Sequence, residues 1–157
     1  MNLAATAKIL LQLVGTNPLD LVTPQANHDI TTQVDYTTGA GANQANEVFS
    51  DTRTLADNTS ESLDLAGSLT NPFGVTVAFA RVKLIYIKNK SSTQVLSIGG
   101  AASNQFVNWV ADSSDIIKLR PGGVLLLIAP DATGYAVTAG TGDLLKIANG
   151  NAGQSTD

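Results

Sequence analysis

The C-terminal third of the chain is divided into short apolar segments by residues that form tight turns. The segments cover residues 116–119, 124–128, 135–138 and 144–147. The first two are separated by Arg120-Pro121-Gly122-Gly123, in which proline presets φ at the second turn position and glycine tolerates a positive φ at the third. Such regular spacing, in pieces too short for helices, is typical of a sandwich or barrel. The sequence therefore predicts an all-β fold, as a single antiparallel β-sandwich or jelly-roll-like domain with an N-terminal strand or arm.

Alternation of apolar and polar residues predicts the earlier strands. It is clearest over residues 30–36, which have the pattern of a half-buried strand, and residues 8–13 fit the same period. Within residues 75–86 the apolar positions change parity, which predicts a bulge or sharp bend near residues 80–81. Helical character is confined to one turn at most, over residues 104–110.

The chain is long enough for one domain. Its 157 residues, 43% of them hydrophobic, fit a single core. We expect residues 1–47 to contain N-terminal strands and a flexible Gly/Ala/Asn loop, as part of the same domain or as an arm. Residues 48–149 are expected to form the β-sandwich core, and residues 150–157 a frayed tail.

Composition excludes several functional classes. Charged residues make up 14% of the chain, against about 25% in typical proteins. Nine basic and 13 acidic residues give a net charge of −4, which argues against nucleic acid as a partner. The absence of cysteine excludes disulfides and thiolate chemistry, and a single histidine excludes a histidine cluster. Neither a signal peptide nor a membrane span is recognisable, so we expect a cytosol-like site of synthesis and no membrane partner.

Catalytic and metal-binding motifs are weak. His28 is the one possible imidazole base, and its surroundings predict a surface-loop residue. Asp112 and Asp115 have the spacing of a turn, and the glycine-rich stretches 39–43 and 97–102 lack the ending of a phosphate loop. Loop aspartates leave calcium as the least excluded ion, without EF-hand spacing. We expect no enzyme activity, cofactor or metal; a hydrolase on a jelly-roll scaffold would require converging acids in a deep pocket.

Basic residues concentrate only around the segment 81–90. Arg81 and Lys83 fall on one face of a strand, and Lys88 and Lys90 on the other, so they form no continuous stripe. We expect them to be solvated residues at strand ends.

Five stretches carry a family resemblance. They are Val48-Phe49-Ser50-Asp51-Thr52-Arg53-Thr54-Leu55, Leu63-Asp64-Leu65-Ala66-Gly67, Gly99-Gly100-Ala101-Ala102-Ser103-Asn104, the RPGG turn 120–123, and residues 129–147. Over residues 49–149 the chain resembles small structural proteins of tailed bacteriophages, and most closely capsid decoration (cement) proteins. The resemblance implies a virion component on the capsid surface, made in the host cytoplasm. Its implied partners are the major capsid protein and further copies of itself in a homotrimer.

Two sets of residues are candidate interaction sites. The first is a subunit interface, because these segments are apolar on both faces, although the centre of the core would give the same pattern: Leu84, Ile85, Tyr86, Ile87, Leu125 and Leu127. The second belongs to the alternative function, a receptor- or carbohydrate-binding β-sandwich of a phage fibre or head fibre: Asn104, Gln105, Asn108 and Trp109. An exposed Trp109 would favour this alternative, and a buried one would weaken it.

Overall fold

The regular structure is β throughout. A computed structural model describes residues 2–150, and within them no helix is present, so the predicted all-β class is confirmed. The strands are β1 (Ala5–Thr16), β2 (Gln25–Thr38), β3 (Gln44–Ala45), β4 (Ser60–Asp64), β5 (Leu69–Thr70), β6 (Thr76–Val77), β7 (Arg81–Val82), β8 (Leu84–Lys88), β9 (Leu96–Gly99), β10 (Ile116–Leu119), β11 (Val124–Ile128), β12 (Tyr135–Ala136) and β13 (Leu144–Asn149). The predicted tail lies mostly outside the described residues.

Two groups of strands build the core. One is a four-stranded antiparallel sheet in the order β10-β9-β13-β4, and the other is the antiparallel pair β8–β11. Short pairs, β7 with β12 and β5 with β6, complete the body. Apolar side chains from these elements form one cluster, in which Ile98 and Phe106 are completely buried. The alternation of a strand places every second residue in this cluster, which explains the period-2 pattern of the sequence.

The predicted change of direction near residue 80 is present. The chain bends at Ala80, and the predicted continuous stretch is divided into β6, β7 and β8. Val77 packs against the core before the bend, Val82 does so just after it, and Ile85 does so again in β8. The core-facing positions therefore change from odd to even and return to odd, and the irregular backbone at residues 80 and 83 makes both changes possible.

The predicted turns are also formed. Between β10 and β11, the Gly123 amide donates to the Arg120 carbonyl at 2.8 Å, and Gly122 has a φ of +70°. Glycine suits this position because other L-residues rarely adopt such an angle. After β11, the Asp131 carboxylate accepts hydrogen bonds from the amides of Thr133 (2.7 Å) and Gly134 (2.9 Å).

The N-terminal hairpin extends away from the body. Strands β1 and β2 pair from Ala5–Tyr36 to Thr16–Gln25, and every residue from 8 to 33 is exposed. We call residues 8–33 the arm. The strand prediction for this region is confirmed, but the expectation that residues 30–36 are half-buried is wrong for most of them, since only the base of the hairpin touches the body. There, Tyr36 is 3% exposed and its hydroxyl donates to the Lys83 carbonyl at 3.1 Å.

The glycine-rich loop after β2 is tied to the body. The Asn43 amide donates to the Pro130 carbonyl at 2.7 Å, and the Gln44 side-chain oxygen accepts from the Gly41 amide at 2.8 Å. Strand β3 then pairs in parallel with the end of β2. The loop thus has specific partners that its composition did not indicate.

Candidate functional site

The pair β8–β11 presents an apolar face to solvent. Its register places Leu84 opposite Ile128, and Tyr86 opposite Leu126. Residues directly opposite each other in an antiparallel pair point to the same side. We call this side the outer face; it consists of Leu84, Tyr86, Lys88, Val124, Leu126 and Ile128. Tyr86 is 57% exposed and Val124 is 49% exposed, whereas Leu126 and Ile128 are partly buried, so residues 2–150 cover this face only in part.

The six predicted interface residues divide between the two sides of this pair. Leu84 and Tyr86 lie on the outer face, whereas Ile85, which is buried, belongs to the core. Ile87, Leu125 and Leu127 are partly buried and pack against the same core. The sequence indicated the segment 124–128 as a possible interface, but the candidate list took Leu125 and Leu127 from it and not Val124, Leu126 and Ile128, because no local signal pairs β11 with a strand some 40 residues earlier.

The arm is amphipathic. Its register places the side chains of Ile9, Leu11, Leu13, His28, Ile30 and Thr32 on one side, which we call the arm face. The opposite side carries Lys8, Gln12, Asp29, Thr31 and Gln33, with Leu10 and Val14 as its apolar members. The arm face is continuous at its base with the buried side chains of Ala7 and Tyr36.

His28 lies on this arm rather than in the predicted loop. It is part of β2, opposite Leu13, and is exposed. The prediction of a surface residue is confirmed.

The predicted ligand patch around Trp109 is largely internal. The Trp109 ring is 9% exposed and its Nε1 donates to the Phe106 carbonyl at 2.9 Å, while Gln105 is also buried. Asn108 is exposed, but its side-chain amide donates to the Ala136 carbonyl at 2.5 Å. Asn104 occupies a turn position with a φ of +49°. No stacking platform for a sugar is available at this place, which weakens the carbohydrate-binding alternative.

The aspartates at 112 and 115 form a turn, as their spacing predicts. The Asp115 carboxylate accepts from the amides of Ala111 (3.1 Å) and Asp112 (2.8 Å). The Asp112 carboxylate accepts from the Ser114 amide and hydroxyl, both at 2.8 Å, and these bonds lower its pKa. Residues 2–150 contain no group of three or more His, Cys, Asp or Glu side chains arranged to hold a metal ion.

An apolar cavity of about 790 Å³ lies between β8 and the four-stranded sheet. Core side chains such as Leu63 and Phe106 line it, together with Phe49. Two acids that also line it, Asp51 and Glu61, are ion-paired with Arg53. The Arg53 guanidinium lies 5.8 Å from the centre of the Phe49 ring. Most of the cavity lining is apolar. The two acids bind the same arginine side chain and do not converge as a separate pair of carboxylates.

Lys83 is a buried structural cation. We expected a solvated residue at a strand end, but the side chain is 7% exposed, so this prediction is wrong. Its Nζ donates to the carbonyl of Asp131 and, at 3.3 Å, to that of Gly41. Arg81 likewise donates to the Ala132 carbonyl at 2.6 Å. The burial of a charge is acceptable here because carbonyl oxygens replace water around it.

The Asp131 turn makes part of the stability depend on pH. Hydrogen bonds from the Gly134 and Thr133 amides lower the Asp131 pKa, and the charge of Lys83 acts in the same direction. A lowered pKa in the folded state contributes stability above the unfolded pKa of about 3.9, and this contribution disappears as the pH falls through the folded value. We therefore expect Asp131→Asn to reduce the loss of stability between pH 5 and pH 2, measured by urea unfolding.

Asp29→Asn is the matched control for this measurement, because it removes the same charge from the exposed arm. It should retain the pH dependence of the wild type. Equal pH dependences for wild type and Asp131→Asn would contradict the role assigned to this carboxylate.

Comparison with known proteins adds no relative. No family model matches the sequence, and neither a curated protein nor a solved structure is significantly similar to it. Residues 2–150 contain no helix that is long and apolar enough to cross a membrane.

Proposed function

We propose that the chain is a structural virion protein that binds and stabilises a phage capsid shell, as a decoration or cement protein. Its partners are the major capsid protein and other copies of itself, in a homotrimer. The observation that carries this proposal is the presence of two apolar surfaces on a weakly charged β body, the exposed arm face and the partly exposed outer face. Large exposed apolar patches mark sites of interaction with other proteins.

The surface composition supports the same role. Protein interfaces are depleted in charged residues at their centres. The outer face carries Lys88 as its single charge, at one edge, and the arm face carries none apart from the titratable His28. Both surfaces can therefore be covered with little desolvation of charge.

The polar groups support binding rather than catalysis. Asp112, Asp115 and Asp131 serve turns, and Arg53 joins Asp51 and Glu61. The three aspartates hold the backbone of their loops in place. A body with fixed loops suits a protein that functions by binding to neighbouring subunits. We include in the proposal that the body is a single β-sandwich of the jelly-roll type; one core shared by the four-stranded sheet and β8–β11 supports it.

Particles purified from the culture that produces the chain provide the test. We expect mass spectrometry to find the chain at a fixed ratio to the major capsid protein, and a particle reconstruction to place it on the shell. Purified capsids lacking the chain should also retain added wild-type protein on sedimentation. Recovery of the chain only from the soluble extract, with no binding to capsids, would contradict the proposal.

Replacement of an outer-face residue tests the surface itself. Tyr86→Asp places a charge at the centre of the outer face, and we expect at least tenfold weaker capsid retention, which corresponds to about 1.4 kcal/mol. The matched control is Phe73→Asp, because Phe73 is 74% exposed and lies outside both surfaces. Equal retention of the two variants on capsids would contradict a role of the outer face in capsid binding.

A further inference from the structure

No part of residues 2–150 covers the arm. Ile9, Leu11, Leu13 and Ile30 are between 42% and 48% exposed, although they share one side of the hairpin. At the tip, Leu21 is 95% exposed. A two-stranded hairpin alone in water is marginally stable at best, and further strands or an element packed against its apolar side are normally needed. The amphipathic pattern therefore indicates that the arm face packs against an apolar surface of another molecule.

The exposed area matches that of a protein interface. The apolar side chains of the arm face and of the tip (Leu19, Leu21 and Val22) together expose on the order of 700 Å², of which the arm face supplies about half; a standard complex buries roughly 800 Å² per partner. A flat apolar face on a partner, rather than a deep groove, would fit a two-stranded ribbon.

The outer face matches the arm face in width and in length along the strands. It is also two strands wide, and Leu84 to Lys88 spans about 13 Å at roughly 3.3 Å per residue. Ile9 to Leu13 on the arm spans the same length. Within residues 2–150 the arm face is exposed and the outer face is only partly covered, and the arm does not fold back onto its own β8–β11 pair.

Charge favours the same pairing. Strands β8 and β11 contain no acidic residue, and Lys88 and Lys90 lie at one end of the outer face. The arm, residues 8–33, carries Asp20 and Asp29 against Lys8, which gives it a net charge of −1 with neutral histidine. Asp29 and Lys8 lie on the side opposite the arm face, so the attraction between a negative arm and a face bordered by lysines is modest and acts over a distance.

We infer that the arm face of one copy of this chain lies on the outer face of a second copy. Each copy supplies one arm and one acceptor face, so the contact is heterologous and can close into a ring of three. The inference rests on the self-association included in the proposed function, but not on capsid binding.

Two neighbouring leucines test it in the purified chain without capsids. Leu11 lies on the arm face, whereas Leu10 lies on the other side and is slightly more exposed, at 56% against 47%. We expect the wild type to be oligomeric at micromolar concentration by sedimentation equilibrium. Leu11→Asp should raise the dissociation constant at least tenfold, and Leu10→Asp should leave it within about threefold of the wild type.

Both variants place aspartate in the same strand, so any loss of strand propensity is shared. Thermal unfolding of the body should be similar for the two, because both sites lie on the exposed arm. A wild type that remains monomeric at tens of micromolar, or an equal weakening by the two substitutions, would overturn the inference.

Crosslinking identifies the two surfaces directly, since the chain has no cysteine of its own. Single variants Leu11→Cys and Tyr86→Cys are mixed and oxidised, and we expect a disulfide-linked dimer that contains one of each chain. Leu10→Cys mixed with Tyr86→Cys is the control and should crosslink far less. Equal crosslinking of Leu10→Cys and Leu11→Cys would overturn the assigned pairing.

The outcomes separate this inference from capsid binding. A monomeric chain that still binds capsids would overturn arm exchange and leave the decoration role intact. An oligomer that crosslinks as expected but ignores capsids would support arm exchange and contradict the decoration role. Binding of the isolated chain to phosphatidylcholine vesicles in place of self-association would assign the arm to a lipid surface and overturn the inference.

Discussion

Replacement of Phe106 by alanine is expected to lower the free energy of unfolding by about 3–5 kcal/mol, as for other large buried aromatic side chains. Phe106 is fully buried and belongs to the central cluster with Ile98. Its backbone is held from two directions: its amide donates to the Leu144 carbonyl at 3.0 Å, and its carbonyl accepts from Trp109 Nε1 at 2.9 Å. These bonds prevent the backbone from collapsing into the space that the ring leaves.

Urea unfolding of Phe106→Ala and of the matched variant Phe73→Ala measures this difference. Phe73 is 74% exposed, so its truncation should change the free energy of unfolding by less than about 0.5 kcal/mol. Similar losses for the two variants would show that Phe106 is not the centre of the core. A loss below about 1 kcal/mol at Phe106 would mean that the surrounding side chains collapse into the space that the ring leaves.

The strands and turns of the C-terminal third could be predicted because local chemistry determines them. Pro121 and Gly122 satisfy the φ angles of a turn whichever fold surrounds them. The carboxylate of Asp131 binds amides two and three residues further along the chain. Short alternating segments between such turns have few arrangements other than antiparallel strands.

The arm shows that the alternation of apolar and polar residues does not determine whether the apolar side of a strand is buried. The period-2 pattern of residues 30–36 correctly predicted a strand with one apolar side. Periodicity reports which residues share a side, but not whether that side faces the core of its own chain. The arm face is consequently regular in sequence and exposed in structure, and nothing within residues 2–150 covers it.

The burial of Lys83 and the register of the outer face depend on contacts between distant parts of the sequence. The carbonyl groups around Lys83 Nζ come from Gly41 and Asp131, which are 42 and 48 residues away. A lysine in a strand usually extends into water, and no neighbouring residue signals the exception. Likewise, the partner of Tyr86 is Leu126, which only the folded chain brings opposite.

Asn89, directly after β8, is a buried polar residue whose loss should cost much of the stability. The residue is fully buried, and its side-chain amide donates to the carbonyls of Gln94 (2.7 Å) and Leu119 (3.1 Å). Its side-chain oxygen accepts from the Ser91 amide at 3.1 Å. Asn89→Ala leaves these groups buried without this partner, at about 1–3 kcal/mol for each unsatisfied group. We expect a loss of about 3 kcal/mol in the free energy of unfolding, measured with urea.

The aspartate variant separates hydrogen bonding from packing at this position. Asn89→Asp keeps the size of the side chain but replaces the donor by a carboxylate oxygen that faces two carbonyl oxygens, so its loss should be at least as large as that of alanine. Asn27→Ala on the exposed arm is the control and should change stability by less than about 0.5 kcal/mol. A stable Asn89→Asp would mean that packing, and not donation to the carbonyls of Gln94 and Leu119, holds the end of β8 against β10. Because β8 carries the outer face, the same variant should also weaken self-association if the donated bonds fix that strand.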